Sequence, residues 1–122
     1  DELFHDTIID FECTHNVKAG NPLKLKLDYS RNLIMVFKEV YSNILKHSKA
    51  TKVDIFLEII NNKDLEIKIR DNGEGFDSQV IQKGNGIKNM KNRAGRMNGE
   101  LSLNSTPNKG TEINISLKNI FI

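Results

Sequence analysis

Residues 84–117 read GNGIKNMKNRAGRMNGELSLNSTPNKGTEINISL, and this stretch carries most of the information about the fold. A pair of glycines leads into a predicted helix from about Ile87 to Met97, which ends near Asn98-Gly99 because these residues accept a left-handed C-cap. Apolar and polar residues then alternate on both sides of a turn at residues 107–110. Such alternation is typical of β-strands with one buried face, so the stretch predicts helix, strand, turn and strand.

The residues before this stretch predict the rest of the sheet. Alternating apolar positions indicate strands within residues 23–27, 53–59 and 65–69, with a turn at Asn61-Asn62. Ser30 is a suitable N-cap for a helix that extends to about His47. The apolar residues of that helix recur at helical spacing: Leu33, Phe37, Val40, Tyr41, Ile44 and Leu45.

This order of elements favours an α+β fold. We expect a two-layer sandwich, in which a mixed and mostly antiparallel sheet carries its helices on one face. Residues 1–22 form a poorly defined N-terminal segment, where Leu3, Phe4, Ile8 and Phe11 would line a short helix. Residues 23–118 would form the core of a single domain that spans residues 1–122.

The composition excludes several classes of protein. Hydrophobic residues make up 38% of the 122 residues and charged residues 28%, which is typical of a globular domain and not of a disordered chain. A net charge of +2 gives no reason to expect a nucleic-acid partner, and no apolar run approaches the roughly 20 residues of a membrane span. The single cysteine, Cys13, excludes an internal disulfide and a multi-cysteine zinc site. Because the chain begins with Asp1, we expect it to be a fragment of a longer protein.

The first predicted helix carries a polar stripe. Glu39, Asn43 and Lys46 fall within about 60° of one another at 100° per residue, and His47 lies at the border of the apolar face. A carboxylate, an amide and an ammonium in one column would hold a hydrated Mg²⁺ and phosphate oxygens. The alternative is a solvated helix face with a contact between Glu39 and Asn43.

A second pattern, Asp71-Asn72-Gly73-Glu74-Gly75-Phe76, follows a predicted strand. An Asp at the end of a strand presents a fixed carboxylate, which accepts a hydrogen bond from an exocyclic amine such as that of adenine. The glycines permit close backbone approach or a positive φ. The alternative is an ordinary loop of turn-forming residues.

Two further patterns are weaker by themselves. Gly84-Asn85-Gly86-Ile87 leads straight into a helix, and free N–H groups at a helix start favour phosphate. Gly110-Thr111 precedes the last strand. An ordinary helix entry and an ordinary turn are the respective alternatives.

Together, in this order, the four patterns resemble the ATP-binding domain of sensor histidine kinases, a fold shared with gyrase, Hsp90 and MutL. EVYSNILKHSKA at 39–50 resembles the N box of that family, and DNGEGF at 71–76 resembles its G1 box. GNGI at 84–87 resembles the G2 box, and KGT at 109–111 the last glycine-threonine motif. The resemblance covers residues 30–118, and the short segment between Phe76 and Gly84 is similar to the nitrate- and desiccation-sensor subclass.

The resemblance implies roles for the residues of the N box. Asn43 would be the Mg²⁺ ligand that bridges to the phosphates of ATP, and Glu39 would be the catalytic residue that positions a water or assists proton removal. Lys46 and His47 would lie near the phosphates.

The glycine boxes would bind the rest of the nucleotide. Asp71 would bind the adenine amino group, and Thr111 would support Asp71 through a water. Gly73 and Gly75 would shape the floor beneath the base. The G2 residues would form the hinge of a lid and offer amides to the phosphates; they are Gly84, Asn85, Gly86 and Ile87.

By resemblance, the chain would be the cytoplasmic catalytic domain of a histidine kinase. The parent protein would be either anchored to a membrane or free of one. Its partners would be the dimerising phosphoacceptor domain, which we expect to lie outside this chain, and a response regulator. No contact with nucleic acid or directly with a membrane is expected. The alternatives are a serine kinase of the anti-sigma-factor type, an ATP-driven clamp, and a degenerate interaction module without nucleotide.

Overall fold

The computed structural model describes residues 9–17, 24–44, 49–75 and 85–121. In these ranges the chain forms strands β1 (Asp10–His15), β2 (Lys52–Ile60), β3 (Asp64–Asp71), β4 (Gly99–Ser105) and β5 (Thr111–Leu117), and helices α1 (Leu27–Asn43) and α2 (Asn85–Arg96). None of the helices in these ranges is long and apolar enough to cross a membrane.

The strands form one sheet in the order β1-β2-β3-β5-β4. β1 pairs with β2 in parallel, and the other three pairs are antiparallel. The two helices contact each other, and α2 also contacts β4. The prediction of an α+β sandwich with a mixed, mostly antiparallel sheet is therefore confirmed.

The alternation of the strands separates two faces of the sheet. The inner face, which carries Ile67, Ile69, Ile113 and Ile115, is buried. Val36 and Val40 of α1 and Met90 and Ala94 of α2 belong to the same core, each with at most 3% of its surface exposed. Each large buried side chain of this kind stabilises the fold by about 1.5–3 kcal/mol. The opposite, outer face carries the polar residues of the same strands.

Two predicted chain reversals are confirmed. Asn61 and Asn62 join β2 to β3 with φ values of 54° and 55°, and Asn98 follows α2 with φ of 56°. Asparagine accepts this left-handed region better than most residues because its side chain bonds locally.

The prediction of a helix through Phe11 is wrong. Phe11 lies in β1 and pairs with Val53 of β2, while Leu3, Phe4 and Ile8 lie outside the described residues. All six residues of β1 are exposed, so no alternation of burial marks this strand. Its partner is about forty residues away, and local spacing does not report such a pairing.

The strand predicted within residues 23–27 is also wrong. α1 begins at Leu27, and the extended residue before it is Lys26. Leu25 makes only an isolated bridge with Phe121. Ser30 is not the N-cap: it lies inside the helix and its hydroxyl donates to the carbonyl of Leu27 at 2.8 Å. Helix start signals are weak, and Asp28 favours the earlier start because an acidic residue in the first turn complements the helix dipole.

One residue of the predicted apolar face lies elsewhere. Tyr41 is 51% exposed and stacks on Phe11 with the ring centroids 6.0 Å apart. Val36, which the spacing argument omitted, is fully buried instead. The buried stripe of α1 is therefore rotated toward Val36 and away from Tyr41.

Candidate functional site

The inner face changes character at one end of the sheet. Three successive rows across β3, β5 and β4 are aliphatic or nearly so, and the next row consists of Asp71, Thr111 and Ser105. Asp71 and Thr111 are buried, with 7% and 9% of their surface exposed. Polar groups in a buried row cost free energy unless they are hydrogen-bonded, so this row marks a candidate site.

Asp71 is held by backbone amides. The Gly73 N–H donates to Oδ1 of Asp71 at 2.8 Å. Burial raises the pKa of Asp71 above its ordinary value of 3.8, and the backbone amides of Gly73 and Thr111 oppose this shift. Among the described residues, Asp71 forms no ion pair with a Lys or Arg. Its remaining lone pairs are available to a ligand that donates hydrogen bonds.

Thr111 is tied to its neighbour on β4. Its Oγ1 lies 2.8 Å from Oγ of Ser105, and Ser105 also donates to the carbonyl of Gly110 at 3.1 Å. Sequence analysis assigned Ser105 no role. It continues the alternation of Leu101 and Leu103, so the pattern of β4 could have placed it on the inner face.

The loop that follows Asp71 is anchored through Asn72. Oδ1 of Asn72 accepts from the N–H groups of Thr51 and Lys52, both at 2.9 Å, and its Nδ2 donates to Oγ1 of Thr51 at 3.0 Å. The backbone N–H of Asn72 also donates to the carbonyl of Lys52. Asn72 therefore fixes the end of β3 to the start of β2, a role that sequence analysis missed.

The loop also packs tightly against the turn between β4 and β5. A Cβ on Gly75, which has φ of +66°, would lie 2.2 Å from the carbonyl oxygen of Thr106. A Cβ on Gly110, with φ of +78°, would lie 2.2 Å from the carbonyl oxygen of Asp71. The Asn108 N–H donates to the Glu74 carbonyl. Glycine is required at both positions because the backbones are in direct contact.

Glu39 and Asn43 lie on α1 beside its buried stripe. Both are half-buried, and they are one turn apart on the helix, about 40° around its axis. Within the described part of the chain, neither side chain forms a hydrogen bond or ion pair. Within the described residues, the side-chain oxygens of Glu39 and Asn43 therefore remain available to a ligand.

The two helices run antiparallel. Arg93 of α2 donates from Nη1 to Oδ1 of Asn32 at 3.3 Å. Asn98, just after α2, donates from Nδ2 to the hydroxyl of Tyr29 at 2.7 Å. The contact that lies later along α2, at Asn98, is therefore the one that lies earlier along α1, at Tyr29.

This direction brings the start of α2 toward the polar stripe of α1. Seven residues separate Asn32 from Glu39, and seven separate Gly86 from Arg93, about 10.5 Å along each axis. We therefore expect the first N–H groups of α2 to lie near the part of α1 that carries Glu39. A helix start of this kind favours an anion.

Some predicted site residues are not brought to this site or cannot be placed. Lys46, His47 and Gly84 lie outside the described residues. Asn85 and Gly86 form the start of α2, and only their backbone is described. Ile87 is 6% exposed and its side chain belongs to the hydrophobic core, so only its backbone remains for a ligand.

The side-chain oxygens of Glu39 and Asn43 fit a Mg²⁺ ion that takes most of its ligands from water and substrate. They do not fit a metal ion held entirely by protein ligands. Within the described ranges no three His, Cys, Asp or Glu side chains are grouped to hold an ion. Asn43 and Glu39 offer the half-buried oxygens of α1. Mg²⁺ commonly takes only one or two protein oxygens and completes its shell with water and substrate phosphates.

Comparison with known proteins shows the family to which the chain belongs. A family model described as "Histidine kinase-, DNA gyrase B-, and HSP90-like ATPase" matches residues 28–119. That range includes α1, Asp71, the start of α2 and Thr111.

Individual relatives cover most of the chain. The chain is 38% identical over 87 residues to the sensor histidine kinase LiaS of Bacillus subtilis, covering 70% of this chain and 24% of LiaS. It is 37% identical over 119 residues to the sensor protein VraS of Staphylococcus saprophyticus, covering 93% of this chain and 34% of VraS. The chain therefore spans about a quarter to a third of these curated relatives.

A solved structure has the same fold. The blue-light activated histidine kinase of Erythrobacter litoralis superposes with a TM-score of 0.74 and 17% identity, covering 97% of this chain and 38% of that one. The similarity extends across the sheet and both helices.

Proposed function

The chain belongs to the histidine kinase-, DNA gyrase B- and HSP90-like ATPase family, and we propose that, as the ATP-binding domain of a sensor histidine kinase, it supplies the γ-phosphoryl group of ATP to a histidine. The acceptor histidine would lie on a separate dimerising helical domain of the whole protein. The phosphoryl group would then pass to an aspartate of a response regulator.

One observation carries the proposal for the nucleotide. The carboxyl of Asp71 is buried, is held by the Gly73 amide, and has no cation beside it among the described residues. A carboxylate held in this way accepts a hydrogen bond from an exocyclic amine. Adenine carries an amine at C6, whereas guanine carries a carbonyl oxygen there, which would meet the carboxylate acceptor to acceptor. Asp71 would therefore select adenine, with Gly73 and Gly75 beneath the base.

The polar stripe of α1 would serve the phosphates. Asn43 would hold Mg²⁺ together with the phosphate oxygens; the bound ion would neutralise their charge. Glu39 would orient a water or accept the proton that the acceptor histidine loses. Phosphoryl transfer needs positioning and charge neutralisation more than covalent help, and this stripe supplies both.

The remaining motif residues complete the phosphate end in the proposal. Lys46 and His47 would extend the polar stripe, and the G2 residues Gly84, Asn85, Gly86 and Ile87 would offer backbone amides at the start of α2. We expect the domain to work in the cytoplasm, with the parent protein attached to a membrane. Membership of the nitrate- and desiccation-sensor subclass stays a prediction.

The serine-kinase alternative is less well supported. The relatives that cover most of the chain are called sensor histidine kinase or sensor protein. Within the described residues, no feature of the site favours a serine kinase over a histidine kinase. Equally, none favours an ATP-driven clamp or an interaction module that does not bind nucleotide.

Calorimetric titration tests the nucleotide site. We expect this chain to bind a non-hydrolysable ATP analogue with Mg²⁺ more tightly than the GTP analogue. Asp71→Asn should weaken ATP binding about 10- to 100-fold, because a buried charged hydrogen bond is worth about 1.5–3 kcal/mol. Asn43→Ala should remove the dependence on Mg²⁺.

Glu112→Gln is the matched control, since it removes a carboxylate one position away on the outer face. It should leave ATP affinity unchanged. Equal loss in Asp71→Asn and Glu112→Gln, or equal binding of the two analogues, would refute adenine selection by Asp71.

The full-length protein tests the transfer itself. Incubation with radiolabelled ATP should yield a phosphoprotein that is stable to base and labile to acid, as phosphohistidine is. Glu39→Gln should lower the rate with little change in ATP affinity. An acid-stable phosphoserine would support the serine-kinase alternative instead.

A further inference from the structure

β1 lies at one edge of the sheet, and among the described residues no strand pairs with its free side. All six of its residues are exposed. β4, at the other edge, is contacted by α2 and carries the buried Leu101. Natural proteins commonly protect a sheet edge with Pro, Lys or a bulge. Residues 10–15 contain neither Pro nor Lys, and they pair with β2 residue by residue without a bulge, so β1 offers its free edge to another strand.

The hydrogen bonding of β1 shows which of its backbone groups face the free edge. The Asp10 N–H donates to the carbonyl of Thr51 at 2.9 Å, so the backbone of Asp10 faces β2. In a parallel ladder, successive residues of a strand face its two sides in turn. The N–H and C=O groups of Phe11, Cys13 and His15 therefore point away from β2. These are the groups that a further strand would bind.

The same three residues carry their side chains on the inner face of the sheet. Phe11 is in register with the buried Val53, and its ring stacks on Tyr41 of α1 with the centroids 6.0 Å apart. The two rings remain 48% and 51% exposed. Cys13 and His15 follow on the same face and are exposed as well. β1 thus combines exposed apolar surface with a row of outward-pointing backbone groups, which favours the addition of a strand.

We propose that β1 pairs in antiparallel orientation with β1 of a second copy of this chain, so that the two five-stranded sheets join into one. A two-fold axis perpendicular to the sheet would pass beside Cys13. Cys13 then lies opposite Cys13 of the second copy, and Phe11 lies opposite His15 of the second copy. Because all of these residues face the free edge, each pair exchanges two N–H···O bonds.

The side chains on the outer face favour this register. By the alternation of β1, Asp10, Glu12 and Thr14 lie on that face. Glu12 would lie opposite Thr14 of the second copy and Asp10 opposite Asn16, so no like charges meet. If the axis moved by one residue toward the start of β1, Glu12 would lie opposite Glu12 of the second copy. Like charges directly opposite each other destabilise a sheet, so that register is disfavoured.

The length of β1 disfavours the registers on the other side. If the axis moved by one residue toward the end of β1, Phe11 would lie opposite Val17, which is beyond the strand. A move by half a residue would set inner-face side chains opposite outer-face ones, because side chains alternate along a strand. The symmetric register centred on Cys13 uses all three free-edge residues of each copy.

The pairing would separate the two candidate sites. Phe11, Val53 and Asp71 form one row across β1, β2 and β3, so the start of β1 lies at the end of the sheet that carries Asp71. Antiparallel pairing reverses this direction in the second copy. The two candidate sites would therefore lie at opposite ends of the joined sheet. The pairing does not depend on nucleotide, and it would stand if the proposed function failed.

Sedimentation equilibrium of this chain under reducing conditions tests the pairing over a wide range of micromolar concentrations. We expect a reversible equilibrium between monomer and dimer. Cys13→Pro should weaken the dimer at least about tenfold, because proline has no N–H for the central pair while the ladder with β2 does not use that group. Cys13→Val keeps the N–H and is the matched control, which should dimerise like the unmodified chain. Circular dichroism checks that each variant is folded.

Two substitutions of Thr14 test the pairing without proline. Thr14 is exposed on the outer face, and either charged residue would lie opposite Glu12 of the second copy. Thr14→Lys should strengthen the dimer and Thr14→Glu should weaken it, each about 2- to 30-fold, because the two-fold axis repeats the pair. Opposite effects of equal-sized exposed side chains are not expected from a change in the fold alone.

Disulfide cross-linking tests the register. Cys13 is the single cysteine of the chain, and directly opposite Cα atoms in a hydrogen-bonded pair lie about 5.5 Å apart, within the range that a disulfide bridges. Diamide, a mild oxidant, should join two copies through Cys13 at least about tenfold faster than in a Cys13→Ser, Ser102→Cys variant. That variant moves the cysteine to an exposed position on β4.

Three results would overturn the proposal. A chain that stays monomeric at every concentration has no such pairing. A dimer that is unaffected by Cys13→Pro and by both Thr14 substitutions uses another surface. Cross-linking at equal rates from Cys13 and from the cysteine on β4 would show that the register is wrong.

Discussion

Two carboxylates lie one position apart on the same pair of strands and have opposite environments. Asp71 pairs with Thr111 on the inner face, and Glu112 pairs with Arg70 on the outer face. Nη2 of Arg70 lies 2.9 Å from Oε1 of Glu112. Hydrogen bonds from Arg70 and then Asn114 hold the pKa of Glu112 below its ordinary value, whereas burial raises the pKa of Asp71.

The difference shows that the two faces of one sheet give neighbouring carboxylates different roles: Glu112 is paired on the exposed face, and Asp71 is available to a ligand on the buried face. Glu112 has its lone pairs occupied by Arg70 and Asn114, so little is left for a ligand. Asp71 receives hydrogen bonds from the backbone amides of Gly73 and Thr111, and these compensate only part of the cost of its desolvation. A carboxylate kept in this state is destabilising for the fold and useful for binding, which is typical of a functional site.

The largest effect should come from breaking the contact behind Asp71. Gly110→Ala places a Cβ 2.2 Å from the Asp71 carbonyl oxygen at a φ of +78°. We expect a loss of about 2–3 kcal/mol in the free energy of unfolding, together with weaker ATP binding, because the end of β3 must shift. Urea denaturation followed by circular dichroism measures the first quantity.

Gly95→Ala is the matched control. Gly95 lies within α2, and a Cβ there meets no atom within 4 Å. Alanine should stabilise the helix by about 0.5–1 kcal/mol. A Gly110→Ala variant as stable as the unmodified chain would show that the turn is not held against β3.

A smaller effect should distinguish the two carboxylates by pH. The raised pKa of Asp71 means that its contribution to stability is greatest below pH 3.8 and declines as pH rises through the folded pKa. The lowered pKa of Glu112 means that its contribution is present above pH 4.5 and disappears as pH falls through the folded pKa.

Asp71→Asn and Glu112→Gln should therefore change stability in opposite directions with pH. We compare the free energy of unfolding of each variant with that of the unmodified chain as pH rises from about 3 to 6. This difference should increase for Asp71→Asn and decrease for Glu112→Gln. Unfolding free energies at several pH values measure both slopes. Parallel slopes would contradict the contrast between the two environments.

The smallest effect should come from the outer ion pair. Arg70→Gln removes the ion pair with Glu112. Because the Arg70 side chain is half-exposed and water screens such pairs, the free energy of unfolding should fall by about 0.2–1 kcal/mol. The loss should shrink in 1 M salt. ATP affinity should stay the same, and a marked loss of affinity would mean that the outer face contributes to the site.

Local pattern was sufficient for most of the sheet. The alternation in residues 53–59, 65–69 and 113–117 predicted β2, β3 and β5 because each strand has one face in the core. The same reasoning failed at Phe11, since β1 is exposed on both faces and is defined only by its pairing with β2. It also failed within residues 23–27, where alternating leucines predicted a strand and the chain instead enters a helix at Leu27.

The candidate site shows the same division. Asp71 and Gly73 were predicted from a short motif, and the structure places them in contact. Asn72 and Ser105 were missed because local spacing does not report their partners: Thr51 directly precedes β2, and Thr111 lies on β5. A sequence motif predicts the residues that would face a ligand. It does not predict the residues elsewhere in the fold that hold them in position.

The sequence by itself determined the class of fold and the order of most elements, and it supplied the residues that we propose bind a nucleotide. It did so because burial imposes a period on each strand and helix, and because few residue types supply a fixed acceptor or a positive φ. Only the tertiary structure decided which of two neighbouring carboxylates is buried without a cation and which hydroxyl supports it. Those properties depend on the register that pairs Asp71 with Thr111 and Arg70 with Glu112, the latter 42 residues apart, and local spacing does not report that register.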